Sequence, residues 1–172
     1  MGDWAEDRSS NESFDYKLSD DPNSSYSMIQ GRTNSYSKIG QLLDTATKPI
    51  FMVTTIEDVL RMYYTPIPEK ITQCKERGVT VKLLTDSKSN HFLSLTRRLH
   101  ATETRTGPLP SSGRIIVEKS SQLAISGELS QSLDLEDTSD SLLYTNSAGM
   151  IKTMYDLCKR MWLISRPLDI SQ

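Results

Sequence analysis

Residues 50–86 read IFMVTTIEDVLRMYYTPIPEKITQCKERGVTVKLLTD, and this stretch decides the fold class. An apolar run at 50–53 and an alternating apolar run at 79–84 flank a longer segment with helical character. Two buried strands joined by a crossover of that length form a βαβ unit, in which the strands are parallel. The sequence therefore predicts an α/β fold, a single domain with a mixed, mostly parallel sheet flanked by helices.

The crossover segment is expected to contain two helices in succession. Pro66 and Pro68 interrupt it, because proline cannot continue the interior of a helix. This predicts helices near 56–63 and 67–77. Gly78 follows the second helix directly, where a left-handed residue commonly ends a helix.

Short strands and an amphipathic helix are expected to complete the domain. The spacing of apolar residues predicts a first helix at 33–47 and a last helix at about 147–165. Further strands are expected at 99–105, 113–118, 122–126 and 142–145. Residues 128–140 carry five acids and no base, which indicates an exposed acidic loop.

Composition divides the chain into a tail and a body. A chain of 172 residues with a formal charge of −2 has the size of one domain and gives no whole-chain reason to bind nucleic acid. Residues 1–26 are acidic and poor in apolar residues, so we expect a flexible acidic arm before a folded domain at 27–172. Neither a membrane span nor a signal peptide is visible, which predicts a cytoplasmic protein without membrane contact. Cys74 and Cys158 have apolar neighbours and are expected to be buried thiols.

Residue types that carry catalysis are scarce. The chain has no glycine-rich phosphate loop, and its two histidines, His91 and His100, stand apart from any cluster with metal-ligand spacing. Each histidine is better explained as a surface or hydrogen-bonded residue. The sequence therefore predicts no catalytic residue, no metal and no cofactor.

Polar side chains follow three of the expected strands. Thr54 and Thr55 end the first strand of the βαβ unit, Asp86 ends the second, and Thr145 and Asn146 end the late strand. These groups would converge on one edge of the sheet if the three strands were parallel. They would suit a small polar ligand such as a sugar or polyol, or an anion held by helix amides. The alternative is that they only cap the helices that follow, and both roles are compatible.

Arg114 belongs to the most basic stretch of the chain. With Arg97, Arg98 and Arg105 it would form a phosphate or nucleic-acid patch, but no aromatic residues are interleaved for base stacking. A solvated strand face is the simpler interpretation. Arg114 is also a candidate ligand contact.

Several short motifs, in order, resemble one known family. They are GRTN at 31–34, A-x-K-x-I at 46–50, ERGVTVKLL at 76–84, GRIIV at 113–117, LYTNS at 143–147 and MW at 161–162. Together they resemble the C-terminal effector domain of archaeal TrmB-type transcription regulators, over residues 27–166. The resemblance implies a phospholipase D-like fold and a role in sensing small molecules, often sugars. DNA would then be reached only through a separate winged-helix domain or partner.

The enzymes of the phospholipase D-like fold carry a His-x-Lys-x4-Asp motif, and this chain departs from it. The corresponding positions are Ser111, Gly113 and Glu118. A serine without a base and a glycine cannot supply a nucleophile and a cation, so phosphodiesterase activity is not expected.

The leading hypothesis is a non-catalytic, ligand-sensing effector domain of a transcriptional regulator. Its expected ligand contacts are Thr54, Thr55, Asp86, Arg114, Thr145 and Asn146. A homodimer through the last helix or an edge strand is expected. The alternative hypothesis is a protein-interaction or dimerisation module of the same fold without a small ligand.

Overall fold

A computed structural model describes residues 13–18, 21–86 and 90–168, and the description below is confined to them. Nine strands form one sheet in the order β1-β2-β8-β7-β6-β3-β4-β5-β9. The strands are β1 (Ser13–Leu18), β2 (Asp21–Gln30), β3 (Ile50–Val53), β4 (Val81–Thr85), β5 (Glu103–Thr106), β6 (Arg114–Glu118), β7 (Gln122–Ser126), β8 (Ser141–Thr145) and β9 (Arg166–Pro167). The α-helices are α1 (Arg32–Thr45), α2 (Ile56–Met62), α3 (Ile67–Glu76), α4 (Asn90–Leu95) and α5 (Ala148–Leu163). A 3₁₀ turn at Thr96–Leu99 follows α4.

The βαβ unit forms as predicted. β3 and β4 are parallel, with Ile50 opposite Val81, and β5 continues the parallel pairing beside β4. The crossover holds two helices, α2 and α3, separated at the predicted proline break. Gly78 adopts a φ of 82° after α3, the left-handed conformation that glycine accepts at low cost.

The other strand pairs are antiparallel. β6 runs antiparallel to β3, forms a hairpin with β7, and β7 pairs antiparallel with β8. Beyond β8, the strands β2 and β1 extend the sheet in the same antiparallel manner. The predicted mixed α/β sheet flanked by helices is confirmed. The expectation that the sheet is mostly parallel is wrong, because six of its eight strand pairs are antiparallel and parallel pairing is confined to β3, β4 and β5.

Each face of the sheet carries its own apolar core. On one face α1 and α3 pack against inward residues such as Met52, Leu83 and Ile116. On the other face α5 packs through Ile151, Cys158 and Trp162. The alternation of neighbouring strand residues between the two cores explains why the central strands are apolar throughout. Both cysteines are buried and unpaired, as expected.

The boundary of the expected acidic arm is wrong. Residues 13–18 and 21–26 lie in β1 and β2, inside the sheet, while the first twelve residues of the chain fall outside the described ranges. Pairing with β8 gives β2 a ladder of backbone hydrogen bonds, and β1 pairs in turn with β2. These ladders satisfy the backbone groups of a segment whose sequence is rich in polar residues.

Among the described helices, none combines the length and the apolar character needed to cross a bilayer.

Candidate functional site

Four of the six predicted contact residues gather at one edge of the sheet. We call this the upper edge, where β3 and β4 end, and the opposite one the lower edge. Thr54 and Thr55 follow β3, and Asp86 follows β4. Arg114 joins them because β6 is antiparallel to β3 and therefore begins where β3 ends.

The predicted convergence is wrong for Thr145 and Asn146. β8 is antiparallel to β7, so Thr145 pairs with Leu123 near the start of β7, at the lower edge. The prediction required β8 to be parallel to β3. β6 is antiparallel to β3, β7 is antiparallel to β6, and β8 is antiparallel to β7, so β8 runs opposite to β3.

Thr145 and Asn146 instead fasten β2 to the turn before α5. The Thr145 hydroxyl donates to the Ser25 carbonyl oxygen at 2.7 Å and accepts from the Ser147 amide at 3.0 Å. The Asn146 side-chain oxygen accepts from the Ser25 amide at 2.8 Å. These hydrogen bonds thus help to fix the register of β2 against β8 at the lower edge.

Arg114 lies at the centre of a buried charge network. Its Nε and Nη2 donate to the two carboxylate oxygens of Asp58 at 2.8 and 2.6 Å. Both side chains are fully buried, so the interpretation of Arg114 as part of a solvated strand face is wrong. A planar guanidinium matches a carboxylate with two parallel bonds, which compensates the cost of removing both charges from water.

Three more side chains complete the coordination of Asp58. The hydroxyls of Tyr36 and Thr54 donate to its carboxylate at 2.6 and 2.7 Å. Arg61 donates to the same carboxylate at 3.3 Å and, through Nε, to the Tyr36 hydroxyl at 3.0 Å. The hydroxyl of Thr54 and the guanidinium of Arg114 are therefore already hydrogen-bonded within the protein.

The network fixes the charge states of its members. Burial alone would raise the pKa of Asp58, but the charge and hydrogen bonds of Arg114, with those of Tyr36 and Arg61, hold it below the ordinary value of 3.8. Burial, and then the neighbouring Asp58 carboxylate, raise the pKa of Tyr36 above its ordinary value of 10.0. Asp58 is thus a permanent anion and Tyr36 a permanent hydrogen-bond donor near neutral pH.

Thr55 and Asp86 act as caps of α2. The Thr55 hydroxyl accepts from the Asp58 amide at 3.3 Å. Asp86 accepts from the Ile56 amide at 2.8 Å, although it lies at the end of a different strand. Both satisfy amides that the first turn of a helix leaves unpaired. The capping interpretation is confirmed for Thr55, whereas the cap that Asp86 supplies to α2 was not predicted.

A second buried cluster was not anticipated from the sequence. Arg32 is fully buried and donates to Asp140 at 2.6 Å. Arg32 and Arg61 also donate to the carbonyl oxygens of Ser130 and Ser132, at distances from 2.8 to 3.1 Å. Two guanidinium groups thus clamp the segment 128–140 against the body of the protein.

The description of 128–140 as an exposed acidic loop is correct only for part of it. Glu128, Asp134 and Glu136 are exposed, whereas Asp140 is 2% exposed and Leu129 is buried. The sequence alone does not tell a clamped acidic loop from a solvated one, because the arginines that bind this loop lie far from it in the chain.

A groove with both polar and apolar lining residues lies beside the network. It has a volume of about 370 Å³ and separates α1 from the junction of α2 and α3; we call it the tyrosine groove. Its lining residues are Thr33, Tyr36, Ser37, Gly40, Gln41, Tyr64, Thr65, Pro66, Ile67, Lys70 and Leu135. Tyr64 is 79% exposed at its rim. Within the described ranges, the side chains of Ser37, Gln41 and Tyr64 have no hydrogen-bond partner.

A larger groove of about 560 Å³ lies on the opposite face of the sheet, beside α5; we call it the α5 groove. Its lining is mostly apolar: Val53, Leu109, Pro110, Ser111, Gly113, Arg114, Ile115, Ile125, Ser126, Met154, Leu157, Arg160, Met161 and Ile164. Two of these residues, Leu157 and Ile164, are exposed large aliphatics, as is the neighbouring Leu163.

Of the three positions compared with the His-x-Lys-x4-Asp motif, Ser111 and Gly113 lie in the loop before β6 and Glu118 is its last residue. Ser111 is exposed, and its hydroxyl accepts from the Gly113 amide at 3.0 Å. Glu118 lies at the lower edge, where one carboxylate oxygen accepts from the amides of Thr47 and Lys48 at 2.8 and 3.0 Å. Glu118 thus holds the end of α1 and the approach to β3.

Solved structures with similar folds include NucT, Nuc and a chromatin protein. NucT from Helicobacter pylori matches with a TM-score of 0.65 and 12% identity over 84% of this chain and 99% of its own. Nuc from Salmonella typhimurium, a phospholipase D family member, matches with a TM-score of 0.61 and 14% identity over 83% of this chain and 97% of its own. The fold is phospholipase D-like.

TrmBL2, an archaeal chromatin protein, has the same fold in part of its chain. It matches with a TM-score of 0.63 and 12% identity over 83% of this chain. This chain spans 54% of the TrmBL2 chain, about half its length. No model of a protein family matches the sequence, and no curated protein does. The likeness therefore supports the fold that the TrmB resemblance implied.

Proposed function

We propose that this chain is a non-catalytic effector domain of a transcription regulator and that it senses a small polar ligand in the tyrosine groove. One observation carries the proposal: a groove of about 370 Å³ presents an exposed tyrosine ring beside polar side chains that have no partner among the described residues. The fold, shared in part with a chromatin protein, fits a place in such a regulator.

The lining of the groove has the chemistry to hold a sugar or polyol. The exposed ring of Tyr64 offers an apolar face with a polar tip, on which a pyranose ring can lie. The Gln41 amide and the Ser37 hydroxyl supply donors and acceptors that match ligand hydroxyls. A few such polar groups in a concave surface are enough to orient a small ligand.

The predicted upper-edge residues lie behind the groove instead of in it. Tyr36 lines the groove, and its hydroxyl donates to Asp58, which holds Thr54 and Arg114. In this proposal Thr54 and Arg114 support the wall that the ligand touches. Thr55 and Asp86 keep their role as helix caps.

The groove is placed to link ligand binding to a change elsewhere. Its walls belong to α1, to the α2–α3 junction and, through Leu135, to the clamped segment 128–140. A ligand that contacts all of these walls would stabilise the arrangement in which the segment 128–140 is clamped. The signal would reach DNA through a separate winged-helix domain or partner.

A thermal-shift panel of sugars, polyols, nucleotides and inorganic phosphate tests the sensor. A ligand present at a hundredfold excess over its Kd stabilises a protein by about 2.7 kcal/mol. Tyr64→Ala and Gln41→Ala are expected to abolish the shift, whereas Gln73→Ala, an exposed glutamine on α3, is expected to keep it. A flat response across the panel, or a shift that survives both groove variants, contradicts the proposal.

The absence of catalysis is a separate part of the proposal. It is supported by the use of Glu118 as a clamp for α1 and by the lack of a side chain at Gly113. Incubation with a generic phosphodiester is expected to give no turnover above that of a Ser111→Ala, Glu118→Gln variant. Turnover that this variant lacks would assign catalysis to the motif positions.

A second candidate is a protein-interaction module without a small ligand. The observation that favours it is the exposed aliphatic end of α5, where Leu163 and Ile164 are 71% and 73% exposed. Exposed apolar residues beside an apolar groove are typical of interaction surfaces.

A further inference from the structure

The α5 groove opens into the apolar core between α5 and the sheet. On the sheet side, Ile115 lies in register between Val53 and Ile125, and all three line the groove. On the helix side, Met154 and Met161 line it and pack against the same core. Water against such a surface is displaced favourably by hydrocarbon. The groove therefore favours a ligand with an apolar body.

The groove has the dimensions of a small-molecule site. Its volume of about 560 Å³ lies within the range of roughly 300–1,000 Å³ that is typical of ligand pockets. The lining residues of α5 run from Met154 to Ile164, which is about 15 Å along a helix axis. Methionine side chains are unbranched and flexible, so Met154 and Met161 can adapt to the shape of an alkyl chain.

The groove also carries an uncompensated positive charge. Its lining residues, all of which the structure describes, include no acid. Arg114 is already paired with Asp58. Arg160 is exposed and has neither an ion pair nor a hydrogen bond with any residue that the structure describes. One free cation beside an apolar surface favours a ligand with a single negative charge.

Ser126 supplies a second, buried polar group. It is 6% exposed and lines the groove, and its hydroxyl oxygen accepts from Nη1 of Arg114 at 3.2 Å. The hydrogen of this hydroxyl has no acceptor among the described residues, although buried donors are normally satisfied. A carboxylate oxygen in the groove would accept that hydrogen, because an ionised carboxylate only accepts.

The free cation and the buried hydroxyl lie toward the same end of the groove. Ser126 ends β7 at the upper edge, opposite Arg114. The chain that leaves α5 reaches the same edge, because Arg166 pairs with Thr106 at the end of β5, which is parallel to β4. Arg160 belongs to the last turn of α5. The polar groups therefore gather near the upper edge, and the apolar lining extends away from them.

We infer that the α5 groove binds an amphipathic monocarboxylate, such as a medium-chain fatty acid, with one molecule per chain. The carboxylate accepts from the Arg160 guanidinium and the Ser126 hydroxyl. The hydrocarbon lies between α5 and the hairpin of β6 and β7. This inference does not depend on the ligand proposed for the tyrosine groove, which lies on the other face of the sheet.

Isothermal titration calorimetry of the full chain with decanoate, below its micelle concentration, tests the site. One decanoate per chain is expected, and the affinity should fall about fourfold for each methylene removed in nonanoate and octanoate. Decanol should bind at least about tenfold more weakly, because it lacks the charge that pairs with Arg160. Absent decanoate binding overturns the inference. So does an affinity that ignores chain length, or inorganic phosphate that binds as well as decanoate.

Loss of each polar group supplies the second measurement. Arg160→Gln and Ser126→Ala are each expected to weaken decanoate binding at least about tenfold, and Arg160→Gln should leave decanol binding unchanged. Lys159→Gln is the matched control, because Lys159 is an exposed cation of α5 outside the groove lining. Decanoate binding that Arg160→Gln leaves intact overturns the inference, and this exposed position does not depend on the folding of Ser126→Ala.

A new charge inside the groove supplies the third. Leu157→Asp is expected to abolish decanoate binding, because it sets a like charge beside the carboxylate. Leu133→Asp should keep binding, because Leu133 is a 61% exposed leucine in the segment 128–140. Tyr64→Ala should keep it as well, which separates this site from the tyrosine groove. Circular dichroism establishes that each variant is folded. Binding that survives Leu157→Asp places the fatty acid elsewhere and overturns the inference.

Discussion

Arg114 and Asp58 meet in the interior through two hydrogen bonds of 2.6 and 2.8 Å, with both side chains fully buried. The pair joins the first residue of β6 to the first turn of α2, so it ties the hairpin to the crossover of the βαβ unit. Tyr36 and Arg61 connect this pair to α1 and to the segment 128–140. Four parts of the chain thus depend on one carboxylate.

Removal of the Asp58 charge is expected to destabilise the protein strongly. Asp58→Asn leaves Arg114 buried without its counter-ion, which typically costs about 3–5 kcal/mol. Urea denaturation measures the loss. Lys152→Met is the control, because it removes an exposed i,i+4 pair with Asp156 that contributes less than about 1 kcal/mol. Equal losses for the two variants would contradict the central role of the buried pair.

Replacement of both charges is expected to be milder than replacement of one. In the double variant Asp58→Leu, Arg114→Met no unpaired charge remains, and apolar side chains fill a similar volume. The urea midpoint of the double variant should therefore lie above that of Asp58→Asn. A double variant less stable than the single one would mean that Tyr36 and Thr54, left without their acceptor, contribute more than the ion pair.

The pKa shift of Asp58 predicts the acid dependence of stability. Because its pKa is lowered by folding, the unfolded chain binds a proton more readily than the folded one. The contribution of Asp58 is therefore complete above its ordinary pKa of 3.8 and is lost as the pH falls below it. Urea midpoints of the wild type should decline more steeply from about pH 4 to pH 2 than those of the Asp58→Leu, Arg114→Met variant. Parallel declines would place the acid sensitivity at other carboxylates.

The βαβ unit could be predicted because its signals are local. Apolar runs, the break at Pro66 and the cap at Gly78 depend only on neighbouring residues. The direction of β8 depends on which strand it pairs with, and nothing local in 141–145 specifies that partner. The residues around Thr145 therefore could not predict that it lies at the lower edge.

The buried arginines were missed for a similar reason. Arginines are mostly exposed in folded proteins, so nothing in the sequence indicated that Arg32, Arg61 and Arg114 are buried. Most of their acceptors lie far away in sequence: Arg32 and Asp140 are 108 residues apart, and Arg114 and Asp58 are 56 apart. Only the folded chain brings together the opposite charges that compensate the cost of burying these arginines.

The clamp on 128–140 is expected to protect this segment from proteolysis. Arg61→Met removes donors to the carbonyl oxygens of Ser130 and Ser132, each bond to a charged group contributing about 1.5–3 kcal/mol. Cleavage after the exposed Glu136 by a glutamate-specific protease should accelerate at least about tenfold. Arg77→Met is the control, because Arg77 donates to carbonyl oxygens at the end of α1 instead. Similar acceleration in both variants would point to global unfolding.

Gly113 and Gly127 offer a paired test of the space at the motif positions. A Cβ on Gly113 would lie 2.5 Å from the Ser126 carbonyl oxygen and 2.9 Å from that of Gly127, whereas a Cβ on Gly127 meets nothing within 4 Å. Gly113→Ala should therefore cost about 1–3 kcal/mol in urea denaturation, by displacing β6 from β7. Gly127→Ala should stay within about 0.5 kcal/mol of the wild type.

The same crowding bears on catalysis. Gly113 is the position that the sequence comparison sets against the lysine of the motif, and any side chain there collides with the backbone at the end of β7. The triple change Ser111→His, Gly113→Lys, Glu118→Asp should therefore yield a destabilised protein without phosphodiesterase turnover, because β6 must shift before the three groups can align. Its stability should fall at least as far as that of Gly113→Ala. A triple variant that is stable and active would contradict this expectation. It would show that β6 and β7 can accommodate the new side chains and that this chain lacks only the residue types of the motif.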